Sequence, residues 1–414
     1  MKNTTLSTIL LYTGELAHAL SLFVMIVVIA RLGTPQELGI FTLFISIITP
    51  IYMFLWMQQR HYLVSDSENS YATSSYFDAR ILMASIALLV SLLLGSWLSP
   101  PEFYGVFIAL SLVKFIESFS DLSYGVFLRR EKVRDISMYK IVRSVVVMIF
   151  FFTCYLLTGS LQYSLLVVIS ASAVILFFEL KTVWSVEKGR HSSNLFSSWN
   201  GLKIIRETAS LGNLELAFSL QVNSPKYILM FLFGEIIVGI FSALLYLYRP
   251  SVLFVSSMIQ AVSSRLSVLH AGGEDKAVKG LVLKLLTVSF LITAIMAVSY
   301  YFFGEWLIVL VFGENFSSYG GILNLVSINY LIAVPVATLS YYGIVRRKYQ
   351  SQYKIVLFGI LSNVVLSLLL GWQFGIKGVL FGWILSSIII LTLYFLSAFG
   401  APQKIGQWTV FKGR

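Results

Sequence analysis

The sequence predicts an all-α integral membrane protein in which about twelve helices cross the bilayer and form two related six-helix bundles. Three observations lead to this fold class. Hydrophobic residues make up 57% of the 414 positions and charged residues only 12%, and the mean hydropathy is +0.84, which is far outside the range of soluble domains. Apolar stretches of membrane-spanning length recur along the chain. A short motif also repeats after 200 residues.

The predicted spans are stretches of roughly 20 mostly apolar residues, which is the length that a helix needs to cross a hydrocarbon core about 30 Å thick. They lie at 9–30, 37–57, 80–98, 102–127, 137–158, 161–180, 208–233, 236–262, 281–303, 318–342, 352–371 and 376–398. The expected organisation is an N-terminal six-helix bundle at 1–180, a cytoplasmic linker at 181–207, a C-terminal six-helix bundle at 208–400 and a basic cytoplasmic tail at 401–414.

The net charge of +11 gives the orientation of the chain, because lysine and arginine gather in alternate connectors. If the N-terminus is cytoplasmic, the even connectors and the two termini hold 23 of these residues, including Arg60 and Arg80. The odd connectors hold only Arg31 and Lys377. Since positively charged connectors stay on the cytoplasmic side, both termini are predicted to be cytoplasmic. Nucleic-acid binding is not expected, because no basic patch lies on a soluble domain.

Several classes of site are not expected in this chain. The single cysteine, Cys154, lies in a predicted span, so neither an intrachain disulfide nor a cysteine-based metal cluster is possible. The outward connectors are short and carry neither paired carboxylates nor metal ligands, so we assign no catalytic residue, metal or cofactor. The first apolar run is interrupted by Glu15 and His18 and lacks a cleavage site, so it is predicted to be a retained span rather than a signal peptide.

An internal repeat relates the two halves. The sequence Gly-Ile-Phe-Thr at 39–42 opens the second span, and Gly-Ile-Phe-Ser at 239–242 opens the eighth. A proline follows each glycine at the same spacing, at Pro50 and Pro250, and a shift of six spans predicts parallel repeats related by an axis along the membrane normal. Both prolines, and Pro225, are predicted to bend their helices because each removes a backbone hydrogen bond. The alternative is that proline is simply common in membrane helices.

Three deep cations are the candidates for binding a substrate. An ionisable side chain near the bilayer centre costs about 2.5–3.5 kcal/mol on insertion scales, so it usually has a function. Arg249 lies roughly 20 Å from either end of its predicted span, whereas its repeat partner is Thr49. Lys226 and Lys114 are the next deepest cations. A cavity lined by these three residues would attract an anion such as a pyrophosphate.

Acidic residues and one histidine inside the spans are the candidates for ion coupling. Glu117 and Asp121 share one face of the fourth span with Lys114. Because they are like charges one turn apart, one of them is expected to hold a proton, which would suit a proton-coupled step. The full set of candidates is Glu15, His18, Glu117, Asp121 and Glu215.

A structural role is the alternative for these charges. They could satisfy one another in a polar seam between helices. Lys140, Arg143 and Glu179 lie within about two turns of the cytoplasmic face, where we expect them to reach the interface by snorkelling and to have no further role.

Several short segments occur in the order and at the span positions typical of one family. They are Ala-Arg-Leu-Gly-Thr-Pro at 30–35 with Gly39, Leu-Arg-Arg-Glu-Lys at 128–132, Phe-Gly-Glu at 312–314, Arg-Arg-Lys at 346–348 and Gly-Ile-Lys-Gly at 375–378. Together they resemble the polysaccharide-biosynthesis, or Wzx-type, flippases of the multidrug/oligosaccharidyl-lipid/polysaccharide exporter superfamily. The resemblance covers most of the chain.

This resemblance implies that the protein moves an undecaprenyl-pyrophosphate-linked oligosaccharide, such as an O-antigen repeat unit of lipopolysaccharide, across the bacterial inner membrane. It also implies alternating access between the two bundles. The family's cationic cavity maps onto Arg249, Lys226 and Lys114. The implied partners are this lipid-linked substrate, membrane lipids, H⁺ or Na⁺ as the coupling ion, and an O-antigen polymerase with its chain-length regulator.

Two alternatives remain open. A multidrug exporter of the same superfamily would prefer cationic substrates and an acidic cavity, against which the deep cations argue. A membrane glycosyltransferase such as the O-antigen polymerase would need a substantial outward loop with catalytic residues, and the predicted outward connectors are too short to provide one.

Overall fold

The protein is all-α, as the sequence predicts. The computed structural model describes residues 2–66, 70–187, 198–346 and 349–399, and no strand occurs among them. The helices are α1 Lys2–Leu32, α2 Pro35–Trp56, α3 Gln59–Ser65, α4 Thr73–Leu98, α5 Tyr104–Arg129, α6 Val133–Thr158, α7 Leu161–Glu187, α8 Ser198–Phe233, α9 Glu235–Leu247, α10 Arg249–Ala271, α11 Asp275–Phe312, α12 Gly320–Val345 and α13 Tyr349–Phe399. Two short 3₁₀ helices, Pro101–Phe103 and Glu314–Tyr319, precede α5 and α12.

The surface of the described helices is apolar, as a protein surrounded by lipid requires. Trp97 on α4, Leu157 on α6 and Trp372 on α13 are 82%, 78% and 81% exposed. Soluble monomers rarely expose apolar patches of this extent, whereas lipid covers them at no cost. Within the described residues, nine helices are long and apolar enough to cross a membrane, or ten if the bent pair α9 and α10 counts as one span. The protein is therefore a multi-pass membrane protein, and the count of twelve spans stays a prediction.

The 51-residue α13 contains two antiparallel arms. The chain turns at Gly375, where φ is +63°, a conformation that glycine adopts without steric penalty. On either side of this turn, Ser367 donates a hydrogen bond of 3.0 Å to the carbonyl of Val379. A Cβ on Gly382 would lie 2.5 Å from the backbone of Ser367, so only glycine allows the arms to approach this closely. The arms correspond to the predicted spans 352–371 and 376–398.

The segment 30–35 forms a well-capped turn between α1 and α2. Thr34 is the N-cap of α2, and its side chain and that of Glu37 form a reciprocal capping box, with Pro35 in the first turn. The hydroxyl of Tyr155 on α6 also donates to Glu37 at 3.0 Å. These contacts fix the ends of α1, α2 and α6 that are predicted to face outward.

Helix α8 packs against helices of both halves. Its first part lies on α2, where Thr208 contacts the sulfur of Met57 at 3.7 Å. Its second part lies on α13, where Asn363 donates to Ser224 at 2.7 Å. Residues 181–187 of the predicted linker continue α7 and 198–207 begin α8, whereas 188–197 and the predicted tail lie outside the described residues. The division into two bundles stays a proposal.

The repeated motif lies where the two halves meet. Helices α2 and α9 cross at Gly39 and Gly239, and a Cβ on Gly239 would lie 2.6 Å from the backbone nitrogen of Gly39. Gln36 donates to Glu235 across the same contact at 3.1 Å. Arg31 at the end of α1 donates to the carbonyl of Val311 at the end of α11, at 2.8 Å. The halves are thus closed against each other at the ends predicted to face outward.

Candidate functional site

A cavity lies inside the first half, between α1, α2, α5, α6 and α7. It encloses about 750 Å³ of empty space, including space open to solvent. Most of its wall is apolar, and its ionisable lining residues are His18, Lys114, Glu117 and Arg143. Tyr246, from α9 of the second half, completes the wall. The cavity therefore brings together one predicted substrate-binding residue and two predicted coupling residues.

Lys114 is paired with an acid in this conformation. Its Nζ lies 2.7 Å from Glu117 Oε2, one turn along α5, and each side chain is 22% exposed. His18 of α1 lines the same cavity and is within electrostatic range of both. Lys114 thus contributes little net positive charge while Glu117 is ionised.

Arg143 and Glu179 do not reach the interface, so the snorkelling interpretation is wrong for them. Arg143 Nη2 lies 3.1 Å from Glu179 Oε2, and the side chains are 9% and 0% exposed. The hydroxyl of Tyr124 donates to the same carboxylate at 3.0 Å. The packing of α6 against α5 and α7 buries the pair, a relation between helices that span depth alone does not predict. Lys140 likewise pairs with Glu15 on α1.

The remaining coupling candidates lie outside the cavity lining. Asp121 forms ion pairs with two arginines: its Oδ1 lies 3.4 Å from Arg60 Nη1, and its Oδ2 lies 3.6 Å from Arg80 Nη2. Glu215 on α8 accepts a hydrogen bond from the side chain of Gln58. Glu117 and Asp121 are thus each paired with a cation in this conformation, and their role in ion coupling stays a proposal.

Arg249 and Lys226 lie in the second half, where the helices are bent. Helices α9 and α10 meet at 49°, and Arg249 is the first residue of α10, with an exposed side chain. Lys226 on α8 is within electrostatic range of Arg249. Among the ion pairs of the described residues, neither cation has an acidic partner. Two uncompensated positive charges therefore lie close together in this half.

Tyr246 links the two groups of cations. It lines the cavity of the first half and is within electrostatic range of both Lys114 and Arg249. Tyr330 on α12 is also near Arg249, and its ring stacks on Tyr248 with centroids 4.4 Å apart. Tyr246 is therefore near two of the predicted substrate-binding residues, Lys114 and Arg249, and Arg249 is near the third, Lys226.

The prolines occur in different local structures. Pro50 and Pro225 lie within the uninterrupted helices α2 and α8. Pro250 is the second residue of α10, directly after the bend. The repeat partners therefore differ, because only the second half is broken at this position. Whether any of the three bends during function stays a proposal.

Two charged residues of the structure had no site role in the sequence prediction. Arg143 lines the cavity, and Arg80, counted from the sequence as a connector cation, is fully buried. The error for Arg80 arises from the helix boundary, since α4 begins at Thr73 and not near residue 80. The polar composition of 73–78 conceals this earlier start.

The sequence comparison identifies a relative of similar length. No protein-family model matches the chain. The chain is 24% identical over 389 residues to the capsular polysaccharide biosynthesis protein CapF of Staphylococcus aureus, which covers 93% of this chain and 96% of that protein.

Solved structures with the same fold are transporters at low sequence identity. An inward-facing multidrug resistance MATE family transporter of the MOP superfamily matches with a TM-score of 0.72 at 14% identity, over 92% of this chain and 93% of that one. The lipid II flippase MurJ, in an inward closed conformation, matches with a TM-score of 0.73 at 14% identity, over 94% and 87%. A MOP superfamily transporter from Pyrococcus furiosus, described as having a binding pocket of reverse polarity, matches with a TM-score of 0.65 at 14% identity, over 96% and 94%.

These matches confirm the resemblance deduced from the short sequence motifs. The fold is shared over nearly the whole chain, and the relative found by sequence is named as a capsular polysaccharide biosynthesis protein. The chain is therefore a multi-pass membrane protein that shares its fold with the MATE and MurJ transporters.

Proposed function

We propose that this protein is a flippase that moves an undecaprenyl-pyrophosphate-linked oligosaccharide across the bacterial inner membrane by alternating access. The oligosaccharide is the repeat unit of a surface polysaccharide, either a capsule or an O-antigen. The name of the Staphylococcus aureus relative and the likeness to a lipid II flippase support this substrate class.

The observation that carries the proposal is the uncompensated positive charge of Arg249 and Lys226. A cation pair without an acid is unfavourable in a membrane protein unless an anion joins it. Pyrophosphate suits this position because guanidinium and ammonium groups form charge-assisted hydrogen bonds with phosphate oxygens. A cationic drug would be repelled from the same position.

The remaining geometry supports a head group that enters from the cytoplasm. The halves meet at Gly39 and Gly239 at their outward ends, which leaves the opposite side as the route of entry. The pyrophosphate binds Arg249 and Lys226, and the half-buried Tyr246 and Tyr330 lie next to it. Separation of the outward ends then exposes the head group to the other leaflet.

The ion pair between Lys114 and Glu117 provides a physical route for coupling. A proton or Na⁺ that binds Glu117 neutralises its carboxylate and releases Lys114 from the pair. Lys114 then adds a positive charge to the path that leads through Tyr246 to Arg249. Binding of the ion and of the anionic head group are therefore expected to favour each other, as linkage requires.

The test is a deletion strain assayed for surface polysaccharide, with lipid-linked oligosaccharide measured on each face of the inner membrane. Loss of polymer with the carrier retained on the cytoplasmic face supports flipping. Single unpolymerised units on the outer face would instead identify a polymerase, and unchanged polymer would favour drug export. The polymerase and chain-length regulator remain the expected functional partners.

A further inference from the structure

Unpaired hydrogen-bond donors gather at the junction of α2 and α3, away from the residues that line the cavity. Five buried nitrogen atoms here have no hydrogen-bond acceptor among the described residues. They are Trp56 Nε1, Gln59 Nε2, Arg60 Nε, Arg80 Nη1 and Arg80 Nη2. All five carry N–H groups, so the group lacks acceptors rather than donors. We call these four residues the donor cluster.

The members of the donor cluster are held together by direct contacts. Arg80 is fully buried, donates from Nε to Gln59 Oε1 at 3.0 Å, and lies over the Trp56 ring at 5.7 Å from its centroid. Asp121 is the acid of the group, at 3.4 Å from Arg60 Nη1 and 3.6 Å from Arg80 Nη2. Two guanidinium groups therefore share one carboxylate, and one positive charge stays uncompensated.

Two further acids near this junction have partners of their own. Glu215 accepts a hydrogen bond from Gln58, and Glu15 is paired with Lys140. A buried guanidinium that shares its counter-ion with a second arginine is destabilising, as are buried N–H groups without acceptors. Such an arrangement is expected to persist only if another state of the protein supplies an acceptor.

The backbone at this junction is strained. Met57 and Gln58 have φ values of +50° and +49°, and two consecutive non-glycine residues in the left-handed region are uncommon. These two residues lie between α2 and α3. The turn that they make places Trp56, Gln59 and Arg60 around the buried Arg80. Strain of this kind is found where the surrounding structure enforces it, often at binding sites.

We propose that the donor cluster binds a phosphate-type anion, either the phosphate of an anionic lipid head group or a free phosphate or pyrophosphate. The unprotonated oxygens of a phosphate only accept hydrogen bonds, and a tetrahedral group can receive several N–H bonds at once. One negative charge on the anion balances the net charge of two arginines and one aspartate, Arg60, Arg80 and Asp121. A water molecule would satisfy fewer of the donors and none of the charge.

Helix α8 controls access to this site. Thr208 contacts Met57, and Gly212 packs against the carbonyl of Phe54, so α8 covers the strained junction. The five nitrogen atoms are shielded from solvent in this conformation, in which α8 is one of the helices packed at the junction. The anion therefore enters when α8 shifts relative to α2. This site is separate from Arg249 and Lys226, and it does not depend on the proposed flippase function.

The test uses the purified full-length protein and measures its thermal unfolding midpoint. In detergent, inorganic phosphate and pyrophosphate are titrated. In nanodiscs, phosphatidylglycerol is compared with phosphatidylcholine. We expect a saturable rise in the midpoint with one of these ligands and at least a 10-fold loss of apparent affinity in Arg80→Gln. A response to pyrophosphate or phosphate assigns a free anion, and a response confined to phosphatidylglycerol assigns the lipid.

Two control variants separate this site from other cationic positions. Arg130→Gln removes an arginine whose Nε lies 2.7 Å from Glu187, so it should keep the full response. Arg249→Ala removes the proposed pyrophosphate site of the second half, so it should lose only the pyrophosphate binding of that site and keep the response that Arg80→Gln weakens. Retention in Arg80→Gln with loss in Arg249→Ala would overturn the proposal, and so would the absence of any ligand response in the wild-type protein.

A milder variant covers the case in which Arg80→Gln does not fold. Trp56→Phe removes one donor and keeps the aromatic ring beneath the guanidinium. It should weaken binding about 3- to 10-fold, as expected for the loss of one hydrogen bond of ordinary strength. An unchanged affinity in Trp56→Phe and in Gln59→Leu would exclude the donor cluster as the binding site.

Discussion

The two halves of this protein share a repeat but differ in how the cations within their helices are paired. In the first half, Lys114, Lys140 and Arg143 each pair with an acid. In the second half, Lys226 and Arg249 have no acidic partner among the described ion pairs, and Arg249 occupies the position where the first half has Thr49. The difference indicates that these three cations of the first half hold its helices together, with positive charge left over at the donor cluster, whereas Lys226 and Arg249 of the second half are both available for a ligand.

The two halves also differ in whether the helix with the repeated proline is broken. Helix α2 continues through Pro50, whereas its counterpart breaks into α9 and α10 beside Pro250. Arg249 is the first residue after this break. The first half thus has a continuous helix at this position, whereas the second half has a bend together with a cation.

The largest effect is expected from removing the unpaired arginine. Arg249→Ala should abolish surface polysaccharide or lower transport about 10- to 100-fold, which corresponds to the loss of hydrogen bonds to a charged group. The protein should still insert and be present at normal levels, because Arg249 has no structural ion pair. Transport is measured by polysaccharide staining alongside quantification of the membrane protein.

The matched control is the repeat partner. Thr49→Ala should leave transport unchanged, and Arg249→Lys should retain part of it because a positive charge remains. A fully active Arg249→Ala variant at normal abundance would contradict the assigned substrate-binding role.

The second effect tests whether charges in the first half are structural. Glu179→Gln leaves Arg143 buried without a counter-charge, so the free energy of unfolding should fall by about 3–5 kcal/mol. The double variant Arg143→Met with Glu179→Leu should recover most of this loss, because it removes both buried charges. Thermal unfolding in detergent measures both. If the double variant is no more stable than the single one, the pair is not the source of the effect.

The third effect concerns the contact between the halves. Gly239→Val introduces a side chain where even a Cβ would lie 2.6 Å from the backbone of Gly39. The outward ends should be held apart, so a cysteine introduced at Gln36 should react several-fold faster with an impermeant thiol reagent when Cys154 is replaced by serine. Gly280→Val is the control, because no atom lies within 4 Å of a Cβ at that helical position. Equal labelling in both variants would show that the glycine contact does not close this end.

The smallest effect is expected at the paired lysine. Lys114→Ala should lower transport less than Arg249→Ala does, since Glu117 already neutralises Lys114 in this conformation. Exchanging the charges in Lys114→Glu with Glu117→Lys should restore part of any loss of stability, and a double-mutant cycle measures their coupling. If Lys114→Ala lost as much transport as Arg249→Ala, cations of both halves would be equally important for transport, which would contradict the difference between the halves.

The sequence by itself determined the membrane-spanning all-α class, the repeat and the deep cations. These features depend on composition and on local spacing, because lipid demands long apolar helices whichever way they pack. The motifs at 30–35 and 375–378 form a helix cap and a glycine turn. Both are local structures, so they depend on the sequence of a few neighbouring residues. The repeat predicted a bend at both Pro50 and Pro250. The sequence could not show that only the helix at Pro250 is broken.

Only the tertiary structure decided which charges are paired. Arg143 meets Glu179 across two helices, and Arg80 joins Asp121 and Gln59 from a third. Such pairings depend on the rotation and depth of each helix in the bundle, which are set by packing against its neighbours rather than by its own sequence. For the same physical reason, the sequence identified Arg249 and Lys226 as deep cations, but the packing of the helices left them without acids.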